Sequence, residues 1–466
     1  MEKPVFWKKY IGDRAFYRRL LSVMLPVLVQ NVITNFVSLL DNIMVGRIGT
    51  ESMSGVAIVN QLLFVFNLCI FGGLSGAGIF TAQFFGRGDS DGVRHTVRLK
   101  CYIALIATAL FGTVFLLFGE PLIVLFLHEG EVGLDLMATL HYGQEYLWVM
   151  LLQMLPFAIM QVYASTLREC GETLLPMKAG IAAIFINLGL NYILIFGKLG
   201  LPALGVVGAA IATVIARLIE CAIVVLWAHR HTKQHPYITG LYRSLRVPIP
   251  LLKKVAIKGM PLLINEVLWS SGMTTLNQCY SLRGLEVVSA INISSTVSNL
   301  FFCAFFATGS TIAILIGQLL GAGELDRAVD EDRKLLAFAV ALSAVVGAIM
   351  ALCAPLIPAL YNTQEQVRQL ATQFLLVVAA LMPFHAFTNG SYFTLRSGGK
   401  TLITFLFDSA FIWVVNVPVA MALTHLSTLP ILAIYAAVQC LELVKVVLGT
   451  ILLKRRAWVN NLVETI

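Results

Sequence analysis

The chain has 466 residues, 58% of them hydrophobic and only 12% charged, with a mean hydropathy of +0.84 and a formal net charge of +8. A water-soluble domain keeps roughly a quarter of its residues charged to solvate its surface, so this composition excludes one. Apolar runs of about 20 residues, enough to cross a bilayer as a helix, recur throughout, while the short alternating segments of a membrane barrel are absent. The chain reads as an all-α membrane protein.

The opening residues, MEKPVFWKKYIGDRAFYRRL, lack a small-residue cleavage site and are expected to stay as a basic amphipathic leader. Six spans follow at about 20–45, 56–82, 100–119, 141–166, 177–197 and 206–228, placed by runs of about 20 apolar residues. Residues 229–257 are basic, contain proline and read as a linker. Six more spans are expected at about 257–282, 289–316, 335–353, 370–394, 402–425 and 430–453, on the same criterion. The chain thus divides into an N-lobe (1–228), a linker (229–257) and a C-lobe (258–466).

With the N-terminus inside, about 27 of the 33 Lys and Arg residues fall in inner segments or at the inner ends of spans, about four in outer loops and two well inside spans. The positive-inside rule then sets both termini in the cytoplasm of a multi-pass protein of the cell inner (plasma) membrane. The outer loop 120–137 holds Glu120, Glu129, Glu131 and Asp135 but no Lys or Arg. The basicity is therefore a topology signal, and no nucleic-acid partner is expected. The eight cysteines are scattered without a C-x-x-C pair, which suits packing better than a metal site or a disulfide framework.

The second half repeats the first at an offset of about 235 residues, a duplication visible as self-similarity at fixed register. Pro26 falls on Pro261, Asn42 on Asn277, Gly49 on Gly284, Glu51 on Glu286 and Ser54 on Ser289. Phe66, Phe71, Ser75 and Gln83 fall on Phe301, Phe306, Ser310 and Gln318, and Gly86 and Gly88 on Gly321 and Gly323. Further on, Thr166-Leu167-Arg168 matches Thr394-Leu395-Arg396 at a shorter offset. An even number of spans per copy makes the repeat parallel. Two such bundles can rock about a central cavity and give alternating access.

Charged and amide side chains inside spans mark candidate sites, because an ionised group in hydrocarbon costs a few kcal/mol and persists mainly where it functions. Asp41 in span one is the first candidate for exchanging a cation. Asn187 and Asn191, four apart in span five, share a helix face. Their oxygens can meet a cation or Asp41, and Thr213 in span six is a further candidate for that cluster. Glu266 in span seven and Asp408 in span eleven are the C-lobe candidates. Arg217 with Glu220, and Glu442 with Lys445, are spaced to neutralise each other on one helix face. His385 is expected to be a hydrogen-bonded packing residue. Pro26 and Pro261 lie inside spans, where a missing backbone donor can make a hinge. Trp269, Phe301, Phe302, Phe305 and Phe306 would suit an apolar cavity for flat organic cations.

SLLDNIMVGRIG (38–49), QFFGRGD (83–89) with its copy QLLGAGE (318–324), LRECGET (167–173), LRSGGKT (395–401) and NLGLNYILIFGKLGLPALGVVGAAIAT (187–213) together resemble the multidrug and toxic compound extrusion (MATE) family. The resemblance spans essentially the whole chain. It implies two six-helix lobes around a central cavity and export driven by inward proton or sodium movement. It also implies that Asn187 and Asn191 stand beside Asp41 in an N-lobe ion site, the possible sodium site of this chain. Some members carry an acid where this chain has Asn191. A lone carboxylate favours the proton.

GGKT at 398–401 lacks the first glycine of a phosphate-binding loop, since position 394 is Thr394; it also follows an apolar helix where the loop requires a strand. No HExxH or G-x-S-x-G motif is present, so no catalytic constellation is expected. The sequence therefore leads to a secondary transporter, not an enzyme. It is expected to export small amphiphilic, often cationic compounds as a monomer, with no cofactor beyond its coupling ion and no ATPase partner. Two alternatives stand beside this: a flippase for lipid-linked saccharides, which would need unpaired cationic side chains in its cavity, and a non-transporting receptor or scaffold.

Overall fold

A computed structural model describes residues 9–127, 135–361 and 363–464; the side chains of residues 37–43, 46 and 285 are outside the description. Asp41, Glu129 and Glu131 are therefore sequence candidates whose side chains lie outside the described residues. Among the described residues there is no β-strand. Twelve long helices account for the spans. They are α1 (Arg14–Gly46), α2 (Thr50–Arg87), α3 (Ser90–Val124), α4 (Leu136–Glu169), α5 (Leu174–Phe196), α6 (Gly205–Arg230), α7 (Ile249–Ser281), α8 (Leu285–Gly321), α9 (Leu325–Cys353) and α10 (Glu365–Ser397). The last two are α11 (Thr401–Leu426) and α12 (Ile431–Lys454).

Eleven of these are long and apolar enough among the described residues to cross a membrane. The remaining one, α7, carries Lys253, Lys254, Lys258, Asn265 and Glu266, and these lower its hydropathy. The outer face of α3 shows what surrounds the protein: Leu105, Ile106, Leu110, Leu116, Leu117 and Phe118 are all exposed. A contiguous apolar face of that extent is unstable in water and comfortable in lipid.

The chain forms two compact units. The first holds Val29–Thr81 and Ser90–Lys253; within it α6 packs on α4 and α5, and α3 on α4. The stretch 231–248, expected as part of a linker, is bound to this unit. Arg98 donates through Nε to Leu241 O at 2.8 Å and through Nη2 to Gly240 O at 3.1 Å. Tyr102 OH donates to Leu245 O at 2.6 Å, and Tyr237, Ile238 and Leu241 are buried. Cationic and phenolic donors on α3 thus satisfy loop carbonyls that would otherwise need water.

The second unit comprises the chain up to Leu28, Ala82–Asp89, and everything from Lys254 on. In it α10 is central and packs on α8 and α9. The two copies of the Q-x-x-G motif meet here reciprocally. A Cβ placed on Gly86 would lie 1.9 Å from Gln318 O, and one on Gly321 would lie 1.9 Å from Gln83 O. Only residues without a side chain allow backbones this close. Gly88 and Gly323, two residues on, have φ of +80° and +78° and end α2 and α8 in the left-handed conformation that glycine adopts without penalty. Gln83 is fully buried and satisfied: its amide donates to Ser397 O at 2.9 Å and accepts from Leu462 N at 2.7 Å. The tail thereby folds back onto this unit, with Trp458 and Val463 buried.

Candidate functional site

In the first unit, α5 and α6 are joined by a chain of side-chain bonds. Asn191 Nδ2 donates to Asn187 Oδ1 at 3.1 Å, and Asn187 Nδ2 donates to Thr213 Oγ1 at 3.2 Å. Both asparagines are buried. The helical spacing of four brings the amides together, and α6 approaches α5 closely because Gly208 has no side chain to meet Leu194 O. The structure therefore unites Asn187, Asn191 and Thr213, as the sequence suggested. The side chain of Asp41, on α1, is outside the described residues.

A second polar cluster of this unit lies on α6. Arg217 Nη1 donates to Glu220 Oε2 at 2.7 Å, and the guanidinium stands 5.6 Å from the Phe157 ring centre. This is the self-neutralising pair that the spacing of three predicts.

The second unit departs from the sequence reading. Lys445 does not serve Glu442 alone: its Nζ is 3.6 Å from Glu442 Oε2 and 3.6 Å from Asp408 Oδ1. Glu442 Oε1 also accepts a hydrogen bond from Thr388 Oγ1 and lies 3.8 Å from His385 Nδ1. His385, expected to be a hydrogen-bonded packing residue, belongs to this cluster and lies tilted beside Phe302, with ring centres 6.2 Å apart. Helices α10, α11 and α12 each contribute a polar side chain to one network around the buried Lys445.

Asp408 is held in place by an unusual stretch of α11. Residues Leu406–Ala410 and Ile412–Asn416 are wound as π-helix. Such turns are uncommon, shift the side-chain register and collect at functional sites. Pro418 gives a local reason, since it withholds the N–H that the carbonyl four residues earlier would use. The distorted backbone is met by Asn265 of α7, which is buried. Its Oδ1 accepts from Ser409 N at 3.3 Å and from Ser409 Oγ at 2.7 Å, and its Nδ2 donates to Asp408 Oδ2 at 3.1 Å. Tyr392 OH is 3.5 Å from the same amide nitrogen. Inside a membrane, irregular helix is tolerated where a neighbour satisfies it.

Sequence reasoning passed over Asn265. The signal available was an amide beside an acid in an otherwise apolar run, and an intramembrane polar group is costly enough to need a partner. Glu266, its neighbour, makes no ion pair to another described residue, although Arg396 and Asp408 act on it electrostatically.

Of the aromatic candidates, Phe302, Phe305 and Phe306 form one cluster on α8, with ring centres 4.8 Å and 4.7 Å apart in succession. Phe305 is buried and Phe306 is exposed. Trp269 and Phe301 pack on the same hydrophobic core. Both α1 and α7 run through their prolines, Pro26 and Pro261.

These features can be set beside known proteins. The MatE family description matches residues 26–193 and 261–422, one match in each half. A probable multidrug resistance protein NorM of Thermotoga maritima is 26% identical over 409 residues, covering 86% of this chain and 84% of that protein. The multidrug resistance protein MdtK of Pectobacterium atrosepticum is 25% identical, covering 86% of each. A crystal structure of a Vibrio cholerae MATE transporter superposes with a TM-score of 0.84 over 95% of this chain and 97% of that one, at 19% identity, which establishes a common fold. The duplicated helical architecture and the paired family matches lead to one conclusion: the chain is a multi-pass membrane protein of the MATE family of transporters.

Proposed function

We propose that the chain is a cation-coupled antiporter of the inner membrane that exports small amphiphilic, often cationic, organic compounds by alternating access. Both termini face the cytoplasm, and one chain is the working unit. The proton is the favoured coupling ion, with no other cofactor or ATPase partner. The relatives named multidrug resistance proteins support the substrate class, and the parallel repeat supports alternating access.

The observation that carries the reading is the network of Asp408, Glu442 and His385, half-buried, around the buried Lys445, set within spans and in contact with Phe302. Charges in an apolar region are costly, and groups that exchange ions with the two sides are the usual reason for keeping them. Aromatic faces beside them attract organic cations. In the cycle we infer, an external cation loads the Asp41 site with its Asn187–Asn191–Thr213 chain and displaces substrate outward. The neutralised lobe then returns and releases the ion inside. The flippase reading gains no support, because the two cationic side chains well inside spans, Arg217 and Lys445, are each held by acids.

Reconstituted vesicles loaded with a fluorescent organic cation test this. Export driven by an imposed proton gradient, and absent when the gradient is collapsed with an ionophore, is the expected result. Export at the same rate with no gradient of either ion would remove the antiport reading.

A further inference from the structure

Lys445 Nζ stands between two carboxylates from different helices, 3.6 Å from each. Below it are the rings of Phe407 and Phe411, with centres 5.6 Å and 5.8 Å from the ammonium. Its side chain is 10% exposed. Two anionic oxygens facing two ring faces make a cage for a monovalent cation. The other oxygens of the two acids are engaged elsewhere. Asp408 Oδ2 accepts from Asn265, and Glu442 Oε1 accepts from Thr388 and faces His385. The oxygens left to bridge a free cation, Asp408 Oδ1 and Glu442 Oε2, are those that the lysine already spans.

We propose that Lys445 is the resident cation of this unit: a tethered ammonium takes the place of a free sodium ion between Asp408 and Glu442, so that this unit couples through a proton without sodium. The inference rests on the antiport reading and deepens it by naming the ion. Two carboxylates and one ammonium leave one net negative charge, which is costly to hold in an apolar region. One proton taken up by the network cancels it. The other charged or titratable groups around the network are Glu266 on α7, and Tyr392 and Arg396 on α10. From α8 the network meets only the ring of Phe302 among the contacts described.

The test is equilibrium binding of radioactive sodium to the purified full-length protein in detergent, read for wild type, Asp408→Asn, Lys445→Ala and the double variant. The expected result has two parts. Asp408→Asn binds the same amount of sodium as wild type, because no sodium sits beside Asp408. Lys445→Ala binds one additional sodium ion per chain, and the added Asp408→Asn change removes it. Sodium binding by wild type that falls in Asp408→Asn would overturn the proposal, as would a folded Lys445→Ala protein that binds no more sodium than wild type. If Lys445→Ala does not fold, the comparison of wild type with Asp408→Asn still decides. Binding is read without transport, so absence of export in vesicles would defeat the antiport reading and leave this result standing.

Discussion

Replacing Asn265 by Ala removes the side chain that ties α7 to the π-wound part of α11. Four bonds are lost: Ser409 N to Oδ1, Ser409 Oγ to Oδ1, Nδ2 to Asp408 Oδ2, and a long one of 3.5 Å from Nδ2 to Tyr392 OH. They are unequal. Ser409 Oγ keeps its bond to Asn265 O at 2.7 Å, so its loss is small. Neutral bonds between membrane helices average about 0.6 kcal/mol, whereas a bond to a charged group is worth about 1.5–3 kcal/mol. The Asp408 bond therefore dominates, and the total comes to about 3 kcal/mol. Equilibrium unfolding in mixed micelles, followed by tryptophan fluorescence, measures it. Ser409→Ala is the reference, since it removes only neutral bonds and should cost about 1 kcal/mol. If Asn265→Ala cost no more than Ser409→Ala, the charged bond would carry no weight and Asn265 would not be what positions Asp408.

The remaining predictions concern packing and charge elsewhere. Gly86→Ala and Gly321→Ala each set a Cβ 1.9 Å from a backbone carbonyl oxygen and should destabilise by about 1–3 kcal/mol, the cost of overpacking. Gly112→Ala, with nothing within 4 Å, should be neutral or stabilising in the same unfolding assay. Lys100 is fully buried and paired with Glu169 at 2.5 Å, so Lys100→Met should cost about 3–5 kcal/mol by breaking a buried ion pair. Adding Glu169→Gln should recover much of that loss; a purely additive double-mutant cycle would contradict it. His235 lies outside the spans, and burial, chiefly, holds it below the ordinary histidine value of 6.5, with His231 acting in the same direction and Glu172 against it. As pH falls below 6.5 the unfolded chain takes up the proton first, so stability should decline until the folded histidine also protonates. In His235→Gln this decline should be weaker, and an unchanged pH profile of unfolding would refute the assignment.

How much of this was legible in the sequence depends on whether the signal was local. Apolar runs place the helices, and the register of Gln83 on Gln318 and Gly86 on Gly321 reveals the duplication; the structure adds that these copies touch. Asn187 with Asn191 was readable because a spacing of four is a helix face. Lys445 with Asp408 was not, since the lysine's nearer acid in sequence, Glu442, explains it locally, and nothing local brings α11 to α12. The π-wound segments are hidden for the same reason: Pro418 announces a disturbance but not its form, and the residue that meets it, Asn265, lies 144 positions from Ser409. The basic stretch after α6 looks like a linker by composition. Its attachment to α3 depends on carbonyl groups that every sequence has.

The most direct test of coupled export compares wild type with Asp41→Asn in vesicles that share one substrate load and one imposed proton gradient. The account predicts gradient-driven export by wild type and none above background for Asp41→Asn protein that still binds the fluorescent cation. Gradient-driven export at the wild-type rate in Asp41→Asn would contradict it, and would move coupling to the C-lobe candidates, Glu266 and the Asp408–Lys445–Glu442 network.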